Sequence, residues 1–157
     1  MTNRRRAAVI GSVVLGVAAL AACEKPTPLA YVTADTDTVH TEAKDGCYND
    51  GDKISFEKAM ACIEQKPGET ITVETGDKLR LGVDKSIADD MWYLAIDGRP
   101  QTDPTDHTYR SWSADSFFPV SQSTGERTKS IKLSIISGSL KDQTFYGVWN
   151  FTVKLND

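Results

Sequence analysis

Histidine is scarce in this chain, with two in 157 residues, and cysteine occurs only three times. His40 and His107 stand far apart, and neither belongs to a Gly-x-Ser-x-Gly or comparable nucleophile setting. No Cys-x-x-Cys pair is present to serve as a redox centre. These absences disfavour serine and thiol enzymes, so the chain reads as non-enzymatic. Past residue 22 no run of like charge exceeds two residues, which excludes an acidic tail or a basic arm. A membrane-spanning run is missing too. The uncharged stretch from Ala7 to Ala22 has sixteen residues. As a helix it would reach about 24 Å, short of a hydrocarbon core of about 30 Å.

What stands in that place is a basic flank, Arg4-Arg5-Arg6, a brief apolar segment and the tetrapeptide Leu20-Ala21-Ala22-Cys23. The pattern predicts a signal peptide over residues 1–22. "LAAC" resembles the lipobox of bacterial lipoproteins. That resemblance implies that Cys23 takes a diacylglycerol on its thiol and becomes the mature N-terminus. Acyl chains anchor by burying methylenes, about 0.8 kcal/mol each, and two or more hold stably where one does not. The three arginines also admit a twin-arginine export signal, although the hydrophobic residues expected close behind that motif are absent. The expected location is the outer face of the cytoplasmic membrane, with the membrane itself as a partner through the anchor.

Without residues 1–22 the chain keeps 135 residues, enough for one domain with one core. The 18 basic residues fall to 15 against 22 acidic ones, a net charge near −7. That balance argues against nucleic acid as a partner and against polybasic contact with anionic lipid. With Cys23 assigned to lipid, Cys47 and Cys62 remain, a pair suited to a disulfide in an oxidising compartment.

Residues 23–35, with prolines at 26 and 28, read as a tether, and residues 36–157 as the folded domain. "TDTVHTEA" (36–43) is a candidate first strand, followed by a polar loop over 44–53. One helix is expected near residues 55–65. Ser55 caps it, Phe56, Ala59, Met60 and Ile63 share a face, and Pro67-Gly68 follows its end. From residue 70 the period is two. Strands are read at "TITVE", "KLRLGV", "MWYLAI", "HTYRSW", "FFPV", "SIKLSII" and a final segment in which Trp149, Phe151, Val153 and Leu155 alternate with Asn150, Thr152 and Lys154. Trp92 and Trp149 are expected in the core, Asn150 and Thr152 outside it. The fold class is mainly β, an antiparallel β-sandwich with one short helix.

"TITVETGDKLRLGV" and "WYLAIDG" resemble the early strands of cupredoxin-like and, more generally, immunoglobulin-like sandwiches. The blue-copper ligand set is not carried over, since Trp92 stands where a ligand histidine would be expected. His40, Met91 and His107 do not complete the pattern, and no cofactor is expected. "NDGD" (49–52) gathers oxygen donors as calcium loops do, but lacks their Asp-x-Asp-x-Asp-Gly spacing. With "CEKPTPLA", "CYNDG" and "LRLGVDKSIADDMWYLAIDG", the chain resembles a family of small uncharacterised actinobacterial lipoproteins. That resemblance implies surface anchoring and brings no site residues. The functional expectation is a lipid-anchored binding or interaction module for a protein or small-molecule ligand. The alternative is a metal-handling protein that uses its acidic loops. Tyr93, Tyr109, Arg110 and Trp112 form the candidate contact surface.

Replacing the anchor residue tests the lipoprotein reading. Cys23→Ser should abolish fatty-acid labelling and either release the protein or leave it unprocessed. A processed mutant that still partitions with membranes would refute it.

Overall fold

In the computed structural model, which describes residues 26–156, the alternating segments become nine strands, with two α-helices and one 3-10 turn. In chain order these are β1 (Leu29–Ala34), β2 (Asp37–Glu42), α1 (Phe56–Glu64), β3 (Glu69–Glu74), β4 (Lys78–Val83), α2 (Lys85–Asp89) and β5 (Trp92–Ile96). There follow β6 (Arg99–Pro100), β7 (Tyr109–Ser113), the 3-10 turn (Ala114–Phe117), β8 (Ser130–Ser139) and β9 (Thr144–Asn156). The expected signal segment, Cys23 and the first residues of the expected tether lie outside the described residues.

The strands form a four-stranded sheet, β2-β1-β4-β7, and a five-stranded sheet, β3-β9-β8-β5-β6. Their facing sides make a β-sandwich. Period-two alternation supplies the filling: Ala30, Val32, Leu79 and Leu81 from one sheet meet Trp92, Leu94, Leu133, Ile135, Trp149 and Phe151 from the other. Each buried indole N–H has an acceptor, Trp92 on the His107 carbonyl at 2.7 Å and Trp149 on the Pro28 carbonyl at 2.9 Å. Neither ring therefore carries an unpaired donor into the core.

The pairing departs from strict antiparallelism at one place, because β3 runs parallel to β9. The turn at Thr75–Asp77 carries the chain from one sheet to the other instead of closing a hairpin. β3 is thereby left to pair with the last strand.

The five-stranded sheet is buried on its outer face as well. Ser55 caps α1 by accepting the Lys58 N–H at 3.1 Å, and the helix lays Ala59, Cys62 and Ile63 on Tyr93, Ala95, Ile136, Phe145 and Val148. The Cys47–Cys62 disulfide, with its Cα atoms 5.7 Å apart, ties the preceding loop to this helix. In the entropy model a bond of that span contributes about 3 kcal/mol by restricting the unfolded chain. The buried stripe of α1 is narrower than the one expected. Phe56 is half exposed, with its ring 5.9 Å from that of Phe145.

Four sequence expectations change. The tether does not reach residue 35, since Leu29–Ala34 is a strand paired with both β2 and β4. Its inward residues include the alanines 30 and 34, too small to signal a buried face. "FFPV" is no strand. Phe117 ends the 3-10 turn and Phe118 follows it into the core. α2 went unread, because five residues are too few to show a period. Asn150 is buried, not outward-facing in solvent. It accepts the Ser134 hydroxyl and donates to the Cys62 carbonyl, each at 2.7 Å, and so links β8, β9 and α1.

Truncations along β9 separate these roles. Trp149→Ala should cost about 3–5 kcal/mol. Asn150→Ala, which leaves the buried Ser134 hydroxyl without its acceptor and removes the bond to the Cys62 carbonyl, should cost about 1–3 kcal/mol. Thr152→Ala should stay within about 0.5 kcal/mol. Chemical denaturation of the three variants measures the order, and equal losses would contradict the facing of β9.

Candidate functional site

The proposed contact residues do not share a surface. Tyr93 is 2 % exposed and packs under α1, because the sheet that holds it is covered on both faces. Burial pushes its hydroxyl up to about 12. It leaves the candidate set.

Tyr109, Arg110 and Trp112 all lie on β7, an edge strand, and the pleat divides them. Arg110 and Trp112 stand opposite the core residues Leu81 and Leu79 and turn half-buried toward the flank of the sandwich. The Arg110 guanidinium lies 5.3 Å from the centre of the Trp112 ring, whose edge meets Phe117 at 6.1 Å. Tyr109 faces the other way, out over the open side of the four-stranded sheet, and is 54 % exposed.

On that open side the register aligns His40, Tyr31, Gly82 and Tyr109 across β2, β1, β4 and β7. Tyr31 and His40 rings are 5.9 Å apart, and the Tyr31 hydroxyl donates to Asp84 at 3.3 Å. Partial burial, with the Asp84 charge second, raises the Tyr31 hydroxyl above its ordinary range. The tether expected over residues 23–35 hides Tyr31 as a neighbour of His40, which lies on the expected first strand. The alternation of "LAYVTA" was the available signal.

One concave feature lies on the flank between the β5–β6 hairpin and the segment that follows β7. A groove of about 520 Å³ opens there, a size in the range of small-ligand pockets. Ile96, Phe117, Pro119 and Ile131 supply its apolar surface. Asp97, Arg99 and Gln101 bring polar groups from the hairpin, and Ser116 and Thr128 from the opposite wall. Asp97 accepts the Lys132 N–H at 2.9 Å, while Arg99 makes no ion pair among the described residues. The far wall is held by Asp115, which accepts from Arg127 at 2.9 Å and from the Gly76 N–H at 3.0 Å. Arg110 and Trp112 reach this flank through Phe117. The strand expected at "FFPV" concealed the wall.

The "NDGD" segment folds as a turn, with the Asp52 N–H donating to the Asn49 carbonyl at 2.6 Å. Among the described residues no three His, Cys, Asp or Glu side chains converge as a metal-holding group. No family model, curated protein or solved structure matches the chain.

The Tyr93 environment gives a pH test. Its raised value favours the native state in full below pH 10, where the unfolded chain keeps its proton too. Above that the unfolded phenol ionises first, so stability should fall as pH rises from 10 toward about 12. In Tyr93→Phe this alkaline component should be absent, as read by denaturant midpoints across that range.

Proposed function

We propose that the protein is a lipid-anchored, non-enzymatic binding module on the outer face of the cytoplasmic membrane, and that the flank groove receives its ligand. The observation that carries this reading is the combination of an apolar surface with an unpaired guanidinium at one concave site. Phe117, Pro119 and Ile131 suit a ring or chain of carbon, and Arg99 suits a carboxylate, sulfonate or phosphate. A small amphipathic anion satisfies both. The histidine inventory supports a binding role over catalysis, because His40 lies on the open sheet face and His107 beside Asp106, neither of them lining the groove.

The position of the groove agrees with anchoring through Cys23. β1 starts at the end of the sandwich bearing Glu42 and Val83, whereas the groove wall at 116–119 follows the opposite ends of β4 and β7. The site therefore opens away from the end at which the chain arrives from the membrane.

Anilinonaphthalene sulfonate, an aromatic anion, is a suitable probe for residues 24–157. Saturable binding at one site is expected. Arg99→Gln, an exposed change, should weaken it about tenfold by removing one charge-assisted contact. Non-saturating binding, or equal affinity in the variant, would refute the groove as a ligand site.

A further inference from the structure

We propose that the end of the sandwich at which β1 begins rests directly on the lipid surface, with Met91 and Leu140 as its contacts and Phe56 and Tyr109 flanking them on the two outer faces. The inference builds on anchoring through Cys23 and adds an orientation and a contact surface. It starts from the length of the tether. Pro28 is buried, its carbonyl accepts the Trp149 indole N–H, and the Leu29 N–H donates to Asp84 at 2.8 Å. The domain therefore holds the chain from Pro28 onward. Cys23 to Thr27, five residues, are left to span the gap. Fully extended they reach at most about 17 Å. A domain of this size has a radius of gyration of about 14 Å, so the tether is short against the body it holds. One end must stay near the bilayer.

The strand registers show what that end carries. Leu29 stands opposite Glu42, and Ala30 opposite Val83, so the ends of β2 and β4 are there. Tyr109 opens β7 beside Gly82. Met91 precedes Trp92, which pairs with Ser137, and the Met91 carbonyl accepts the Gly138 N–H at 2.9 Å. Leu140 lies in the turn between Ser139 and Thr144, and Phe56 meets Phe145, the partner of Gly138. Phe56, Met91, Tyr109 and Leu140 are 50, 43, 54 and 39 % exposed. Of the large apolar side chains exposed among the described residues, only Val120 lies elsewhere. Single exposed apolar residues are ordinary, but here four of the five lie at the tethered end.

The backbone at Met91 adds an independent observation. It follows α2 and the cap residue Asp90 with φ of 60°, in the left-handed position where glycine is usual. Met91 N–H and C=O are both bonded, to Ala88 and Gly138, which fixes the strained backbone and directs the side chain outward. Of the non-glycine residues with positive φ among the described residues, Met91 alone has an apolar side chain.

Charge bears on the lipid class. Glu42, Asp84, Asp89 and Asp106 lie at the same end with Lys85, which is ion-paired to Asp89 at 2.6 Å, and Lys141 beside Leu140. The end is thus of mixed charge with no cationic excess to select an anionic surface, and a zwitterionic one suits the apolar side chains. At the interface such residues reach about 5–10 Å into the headgroup boundary. The anchor supplies the proximity that makes weak contacts effective.

The test uses the processed, acylated protein in phosphatidylcholine vesicles containing a photoactivatable phosphatidylcholine. Flotation reads the anchor, and mass spectrometry of peptides reads the seating. Photoadducts are expected on peptides bearing Met91 and Leu140 and not on those bearing Asp35 or Gly76. Met91→Asp combined with Leu140→Asp should lower adduct yield about fivefold with flotation unchanged, whereas Val120→Asp should change neither. Floating protein with no adducts, with evenly spread adducts, or with copies cross-linked through this end would overturn the seating alone. Protein left in the aqueous fraction would overturn the anchor, and the seating with it.

Discussion

The five-stranded sheet has two apolar faces, and the partner sheet covers only one. That constraint organises the rest of the molecule. Ile136, Val148, Tyr93 and Phe145 would meet water unless something covered them, and the cover is a helix of nine residues. A helix so short is unstable alone. It is secured by the Cys47–Cys62 bond at its end and by the Asn150 amide, which joins its carbonyl to the sheet beneath. The disulfide and the buried amide serve one task, keeping a small lid on a large apolar surface.

Covering that face leaves the other sheet to carry exposed chemistry. The outer side of β2-β1-β4-β7 has no layer over it and presents Tyr31, His40, Arg80 and Tyr109. The flank is set by two crossings between the sheets. Residues 101–108 pass from β6 to β7, with Thr105 bonded to Trp92, and residues 114–129 pass from β7 to β8, with Asp115 gripping Arg127. The groove lies between the second crossing and the β5–β6 hairpin, so one of its walls is a loop held at both ends by strands.

Much of the β-sandwich was legible because its strands follow a single rule, one face in and one out. Ile71 and Val73, Leu79 and Leu81, Trp149 and Phe151 each obey it. The rule fails where a strand is buried on both faces. Tyr93 and Asn150 occupy positions that alternation assigns to solvent, and only the placement of α1, a tertiary fact, buries them. It also fails where the inward residues are small, as in β1, whose alanines look like linker composition. The candidate site was legible in part. Arg110 and Trp112 do reach the flank, but the groove joins residues from Ile96 to Ile131 that only the sheet topology brings together.

The hydrogen bond from Trp149 to Pro28 joins residues 121 positions apart, and β3 likewise waits for β9. A polypeptide is delivered amino end first, so β9, an inner strand of the larger sheet, follows every strand that it supports. Until its final residues are free, the early strands lack the surface that orders them. Such high contact order makes folding slow and late. A chain released before β9 is made thus lacks both the acceptor-matched indole under Pro28 and the partner of β3.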